Sequence, residues 1–208
     1  MSKTLTFVYD RYSTAERVVR ELEEAGLSDG DISIVASNAD GWHKPGGRTV
    51  DPKHDKDRDG RDDRNEGAAT GGTLGVLAGG AVGVLTGLGL IAIPGVGPVV
   101  AAGWLAALAA GAAAGGVAGG LVGALVASGT SKENAELYAE AVRRGGAIVT
   151  AKVPDDEEGS YLRIMETPAI DFSERVPIWK QSGWKGYDPA APVYTPEQIR
   201  RERDSYRL

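Results

Sequence analysis

Gly67-Ala-Ala-Thr-Gly71-Gly-Thr-Leu-Gly75-Val-Leu-Ala-Gly79-Gly-Ala-Val-Gly83-Val-Leu-Thr-Gly87 opens a stretch that Gly111-Ala-Ala-Ala-Gly115-Gly-Val-Ala-Gly119-Gly-Leu-Val-Gly123 brings towards its end, and no charged residue stands anywhere between Glu66 and Lys132. Gly71, Gly75, Gly79, Gly83 and Gly87, then Gly111, Gly115, Gly119 and Gly123, keep a four-residue spacing that puts small residues close together on a helix and lets another helix approach its backbone. Pro94-Gly-Val-Gly-Pro98 interrupts the run with a turn that no helix crosses unbroken. The expectation is a helical hairpin with arms over Gly67 to Ile93 and Pro98 to Gly129.

Three homes compete for such a hairpin. An arm of 27 residues rises roughly 40 Å, enough for a bilayer core of about 30 Å. Its glycines and alanines contribute little to insertion, so a membrane is permitted without being demanded. A four-residue ridge from Gly71 to Gly87 drifts by about 160° around its axis, more than one partner helix covers. The ridge therefore predicts contact with the hairpin mate and with a helix from another subunit. A lone soluble chain is the third home, and it has too little other mass to hide two smooth helices.

Outside this block the residues alternate in a recognisable α+β manner. Leu5, Phe7 and Tyr9 alternate with polar neighbours as a half-buried strand does. Ser13 with Glu16 reads as a capping box, and Ala15, Val18, Val19, Leu22 and Ala25 follow at helical spacing up to Gly26. Ile32 to Val35 reads as a second strand after the Asp29-Gly30 turn. Beyond the block, Ser131 caps a helix striped by Ala135, Tyr138, Ala139 and Val142, which Gly145-Gly146 ends. Ala147 to Val153 is apolar enough at its start to be a central strand. A short helix over Gly159 to Glu166 and an edge strand over Ala169 to Phe172 complete a βαβ…αβαβ order, that of a ferredoxin-like sandwich interrupted by the hairpin. The implied organisation is a discontinuous domain (1–40 with 130–175), a linker (41–66), the hairpin (67–129) and a tail (176–208).

The linker and the tail each carry a candidate site. Asp55-Lys-Asp57-Arg-Asp59-Gly60-Arg61-Asp-Asp63-Arg-Asn-Glu66 fits the twelve-residue calcium loop: Asp55, Asp57 and Asp59 as oxygen ligands, the Arg61 carbonyl, Asp63 through water, and Glu66 with both oxygens. Asp62 stands where an aliphatic residue is usual, and Arg58, Arg61 and Arg64 bring positive charge beside the ion. A solvated zwitterionic linker is thus the other reading. In the tail, Trp179, Trp184, Tyr187 and Tyr194 are spread among Gly, Pro and Lys, as in a segment that wraps a surface, and they are candidates for clasping a neighbouring subunit. Thr195-Pro196-Glu197-Gln198 caps a last helix whose Ile199 is nearly its only apolar residue, so that helix is either solvated or docked by charge.

Composition narrows the function. A net charge of −6 over 208 residues speaks against a general nucleic-acid binder. The absence of cysteine excludes disulfides, thiolate nucleophiles and zinc–thiolate sites. His43 and His54 are the only histidines, and no nucleophile elbow, Walker loop or dinucleotide fingerprint stands in a strand–turn–helix context. Asp155 to Glu158 suit a helix N-terminus better than acid/base work. A catalytic role is not expected. The N-terminus reads as a strand and not as a signal peptide, which points to the cytoplasm or the inner membrane with both termini cytoplasmic.

Ala92-Ile-Pro-Gly-Val-Gly-Pro-Val-Val-Ala-Ala-Gly-Trp104, Tyr138-Ala-Glu-Ala-Val-Arg-Arg-Gly-Gly146 and Trp179-Lys-Gln-Ser-Gly-Trp184 together resemble a bacterial family of general stress or low-temperature-induced proteins, which share a heat-induced stress-protein domain around a glycine-zipper hairpin. The resemblance spans most of the chain. It implies a stress-response setting and no particular reaction. Two functions remain: a non-catalytic self-assembling protein whose hairpins pack between subunits, in a membrane or in a closed soluble particle, and a calcium- or ligand-responsive module that regulates membrane association.

Overall fold

The β-branched and alanine-rich segments of the outer halves build a five-stranded antiparallel sheet in the order β1-β5-β2-β4-β3. The computed structural model describes residues 2–39, 41–43, 89–93, 97–114 and 120–206. The strands are β1 (Ser2–Tyr9), β2 (Ile32–Ser37), β3 (Gly89–Ile93), β4 (Gly97–Ala102) and β5 (Ala147–Pro154). The described α-helices are α1 (Tyr12–Glu24), α2 (Trp104–Ala114), α3 (Gly120–Ala127), α4 (Lys132–Arg143), α5 (Glu158–Glu166), α6 (Phe172–Gln181) and α7 (Pro196–Ser205). The class is α+β. The apolar start of β5 does place it centrally: its register runs Leu5 to Ala151 on one side and Ile34 to Val149 on the other.

Period-two alternation divides the core between the two faces of this sheet. Tyr9, Ile34, Ala147, Val149 and Ala151 pack with Ala15, Val18, Val19 and Leu22 of α1 and with Tyr161 and Met165 of α5. Val8, Val35, Val99 and Ile148 pack instead with Leu105 of α2, Leu121 and Leu125 of α3, and Ala135, Ala139 and Val142 of α4. Helices therefore cover both faces, and β2 is buried along its whole length. A two-layer sandwich would leave one of these faces bare.

Three expectations change. First, the Pro94–Pro98 turn does not join two helices. Gly89–Ile93 and Gly97–Ala102 are the strands of a β-hairpin, paired from Gly89 with Ala101 to Ile93 with Gly97, and β4 adds to the edge of β2. Leu90, Ile91, Ile93, Val99 and Val100 are residues with strand preference, and the edge of β2 offers a ladder that an isolated helix would forgo. Second, the described part of the second arm is two helices, α2 and α3, which pack against each other. Gly111 and Gly123 thus belong to different helices, while Gly71, Gly75, Gly79, Gly83, Gly87, Gly115 and Gly119 lie outside the described residues. Third, Ala169 to Phe172 forms no strand. The Ile170 N–H reaches the Val8 carbonyl at 2.7 Å, but Asp171 then accepts from the Ser173 N–H at 2.7 Å and starts α6.

Local signals mostly place the helix ends. Ser131 accepts from Asn134 N–H at the start of α4, and Thr195 with Gln198 forms the full capping box of α7. The Ser13 box does not form: α1 starts earlier, with Arg11 as its N-cap and no side-chain cap, and Tyr12 stacks on Trp42 at 4.2 Å. Between β4 and α2 the chain turns through Gly103 at φ +88°, where a Cβ would lie 2.4 Å from the Ile32 carbonyl oxygen. The buried Ser33 hydroxyl holds this corner, donating to the Ala102 carbonyl at 2.7 Å and accepting from the Leu105 N–H at 3.2 Å.

Candidate functional site

Where α4 ends, charge goes underground. Glu140 is 0 % exposed, and Arg143 and Arg144 are nearly as buried. The spacing explains the meeting, because residues three and four apart share a helix face. Arg144 Nε donates to Glu140 Oε1 at 2.6 Å. Arg143 Nη2 lies 2.7 Å from Oε2, at ion-pair distance though off the line of a hydrogen bond. Burial works against the charge on Arg144, yet Glu140 and Glu202 outweigh it and hold the guanidinium pKa above its ordinary value.

The tail supplies the rest. Arg144 Nη1 also donates to Glu202 on α7, and the Tyr206 hydroxyl donates to the same carboxylate oxygen. Trp179 Nε1 donates to the Tyr206 hydroxyl at 2.7 Å. On the far side, Arg175 grips Asp10 with two bonds, at 2.6 and 3.1 Å, while its guanidinium lies 3.4 Å from the centre of the Tyr206 ring. Arg144 stacks over Trp179 at 4.7 Å and over Tyr194 at 5.1 Å. Burial first, and the bond to Glu202 next, push the Tyr206 hydroxyl well above its usual pKa.

A glycine lets α7 come this close. Gly145, at φ +99°, faces Ile199: a Cβ there would sit 2.5 Å from Ile199 Cγ2. Arg203 Nη2 donates to the Gly145 carbonyl at 2.8 Å. Gly146 is as tightly held, with the Tyr9 and Ala141 carbonyl oxygens within 2.9 Å of any added Cβ. The last helix is therefore docked both by charge and by its one fully buried isoleucine.

Trp179, Trp184, Tyr187 and Tyr194 accordingly meet their own chain. Trp179 is 1 % exposed, with Trp184 edge-on at 5.4 Å and Phe172 at 5.9 Å. Trp184 and Tyr187 pack against the same core, and Tyr194 lies under Arg143 and Arg144. Positive-φ turns at Gly183 and Gly186 fold the chain back to make this possible. The expected clasp on a neighbour is, for Trp179, a clasp on the protein itself.

Among these groups lies a cavity of about 10 Å³, lined by Asp10, Arg144, Arg175, Trp179, Arg203 and Tyr206, space for a single water. Its one carboxylate, Asp10, is already taken by Arg175. What the arrangement does chemically is neutralise buried charges against one another and so define where the tail sits, the role in which buried ionic networks are best attested. The sequence offered a signal for it in the Glu140 to Arg144 spacing, whereas Glu202 and Arg203, 58 residues further on, carried none. The calcium-loop residues Asp55, Asp57, Asp59, Arg61, Asp63 and Glu66 lie outside the described residues, among which no group of three or more metal-ligating side chains forms. Among the described residues no helix is long and apolar enough to cross a membrane. No family model, no curated protein and no solved structure matches the chain.

Proposed function

We propose that the chain is a non-catalytic, self-assembling protein whose glycine- and alanine-rich segment packs between subunits, with the stress-response setting resting on the sequence resemblance. The observation that carries this reading is the outer surface of α2 and α3. Neither helix contains a charged residue, yet Leu108 and Val126 are each 43 % exposed. A helix that is apolar all round belongs inside something, and the described chain covers only one side of this pair. Gly123 adds to the case. A Cβ at that position would meet none of the described residues within 4 Å, so their packing gives no reason for a glycine there. A neighbouring helix would. The central place of β5 supports kinship with ferredoxin-like sheets, while the second helical layer and the missing last strand argue for a distinct variant.

Gly123→Leu tests the reading. In an isolated chain the change removes a poor helix former from an open position and adds about 0.5–1 kcal/mol of stability. In an assembly the larger side chain separates helices in contact. Light scattering in detergent-free buffer is expected to show a smaller particle for Gly123→Leu than for the parent at equal concentration. Identical particle size would remove α3 from the assembly, and a monomeric parent would end the proposal.

A further inference from the structure

Among the described residues, strand β1 forms one edge of the sheet, and they close only one point of that edge, where the Ile170 N–H bonds to the Val8 carbonyl. In an antiparallel ladder alternate residues turn both backbone groups away from the partner strand. Val8 is outward, so Thr6, Thr4 and Ser2 are outward too. Pro154, with no N–H to give, stands opposite Ser2 in agreement with this. No described residue bonds the outward N–H and C=O of Thr4 or Thr6. Proteins commonly guard such an edge with an exposed lysine. Here Lys3 is itself 59 % exposed, but its charge is paired with Glu158 of its own chain at 2.7 Å, and Leu5 and Phe7 remain only partly covered.

We propose that this edge pairs with the same edge of a second copy, about a two-fold axis through Thr4, joining two sheets into one. The occupant follows from self-complementarity. About that axis Thr4 faces Thr4 and Ser2 faces Thr6, hydroxyl side chains against hydroxyl side chains on one face, a favourable cross-strand match. On the other face the Lys3 stem runs along Leu5. The blocked end sets the register: a partner strand that begins at Ser2 finishes level with Thr6 and stops short of Ile170. Thr4 exchanges both backbone bonds with its symmetry mate, and Ser2 does so with Thr6 of the second copy. The interface is isologous and closes as a dimer. It is independent of the α2–α3 surface, on which the assembly proposal rests.

Residue-resolved amide hydrogen exchange tests this directly. Leu5 and Phe7 are protected by β5 in any state and serve as the reference. Thr4 and Thr6 have no partner among the described residues, so protection that depends on concentration requires a second copy. At a total chain concentration about a hundred times the dimer dissociation constant, where about 7 % of chains remain unpaired, they are expected to exchange about fifteenfold more slowly than on dilution. Thr4→Pro removes an outward N–H without touching the β5 ladder and is expected to abolish the protection at Thr6. Thr4→Lys, which keeps every backbone group and sets like charges on the axis, is expected to do the same should the proline variant fail to fold. Gly123→Leu is expected to leave it intact, so the two interfaces fail separately. Free exchange of Thr4 and Thr6 at high concentration overturns the proposal. So does protection that ignores dilution or survives Thr4→Lys, which would assign the edge to another segment.

Discussion

Helices α1 and α2 lie on opposite faces of one sheet and follow opposite recipes. In α1, Ala15, Val18, Val19 and Leu22 form a single buried stripe, and the far side carries charge, with Arg17 and Glu21 3.7 Å apart. In α2 and α3 there is no polar side at all. The first helix is finished by its own chain: one face takes the core and the other takes water. Among the described residues the second pair is covered only on the side that meets the sheet and α4. Hydrophobicity alone does not separate the two; the difference lies in whether apolar residues are confined to one stripe. The α2–α3 side of the sheet also carries the buried Glu140–Arg144 cluster, at the place where the tail closes that layer.

The contrast can be broken hardest at Glu140. Replacing it with Ala leaves Arg143 buried without its carboxylate and Arg144 with Glu202 alone, a loss of about 3–5 kcal/mol, and denaturant titration should show it together with a change in Trp179 fluorescence as the tail loosens. A loss below 1 kcal/mol would mean that water reaches the arginines and that the cluster does not hold the tail. On the α1 side, Leu22→Ala is expected to cost about 2–5 kcal/mol and to leave particle size unchanged, since α1 faces no neighbour in this account. A change in assembly without loss of stability would reverse the roles of the two faces.

Smaller and pH-dependent is the contribution of Tyr206. Its hydroxyl stays protonated in the docked tail beyond the ordinary value of 10.0, while an undocked tail ionises near that value. The docked state therefore binds more protons above about pH 10. Docking is at full strength below that pH and weakens as the pH rises towards the folded pKa. Tryptophan fluorescence followed from neutral to alkaline pH should report undocking, and Tyr206→Phe should flatten the profile. An unchanged profile would leave the alkaline response to Tyr9, whose pKa burial also raises.

Short-range signals were legible in the residues alone. The strand alternation of β1, the stripe of α1, the caps at Ser131 and Thr195, the Gly145-Gly146 stop and the central place of β5 all depend on neighbours a few positions apart, where the chemistry of one segment decides. The charge-free character of the middle of the chain was equally plain. Tertiary structure decided what those segments do when a competitor is present. Gly89 to Ala102 suits a helix or a strand, and the edge of β2, remote in sequence, offered the ladder that made it a β-hairpin. Ala169 to Phe172 suits a strand, and Asp171 capped a helix there instead. Tail aromatics suited to any surface found their own core, because Arg144 and Glu202 meet only after the sheet has brought α4 and the C-terminus together. Local pattern states what a segment can become; which partner arrives, and from how far along the chain, is settled only by folding.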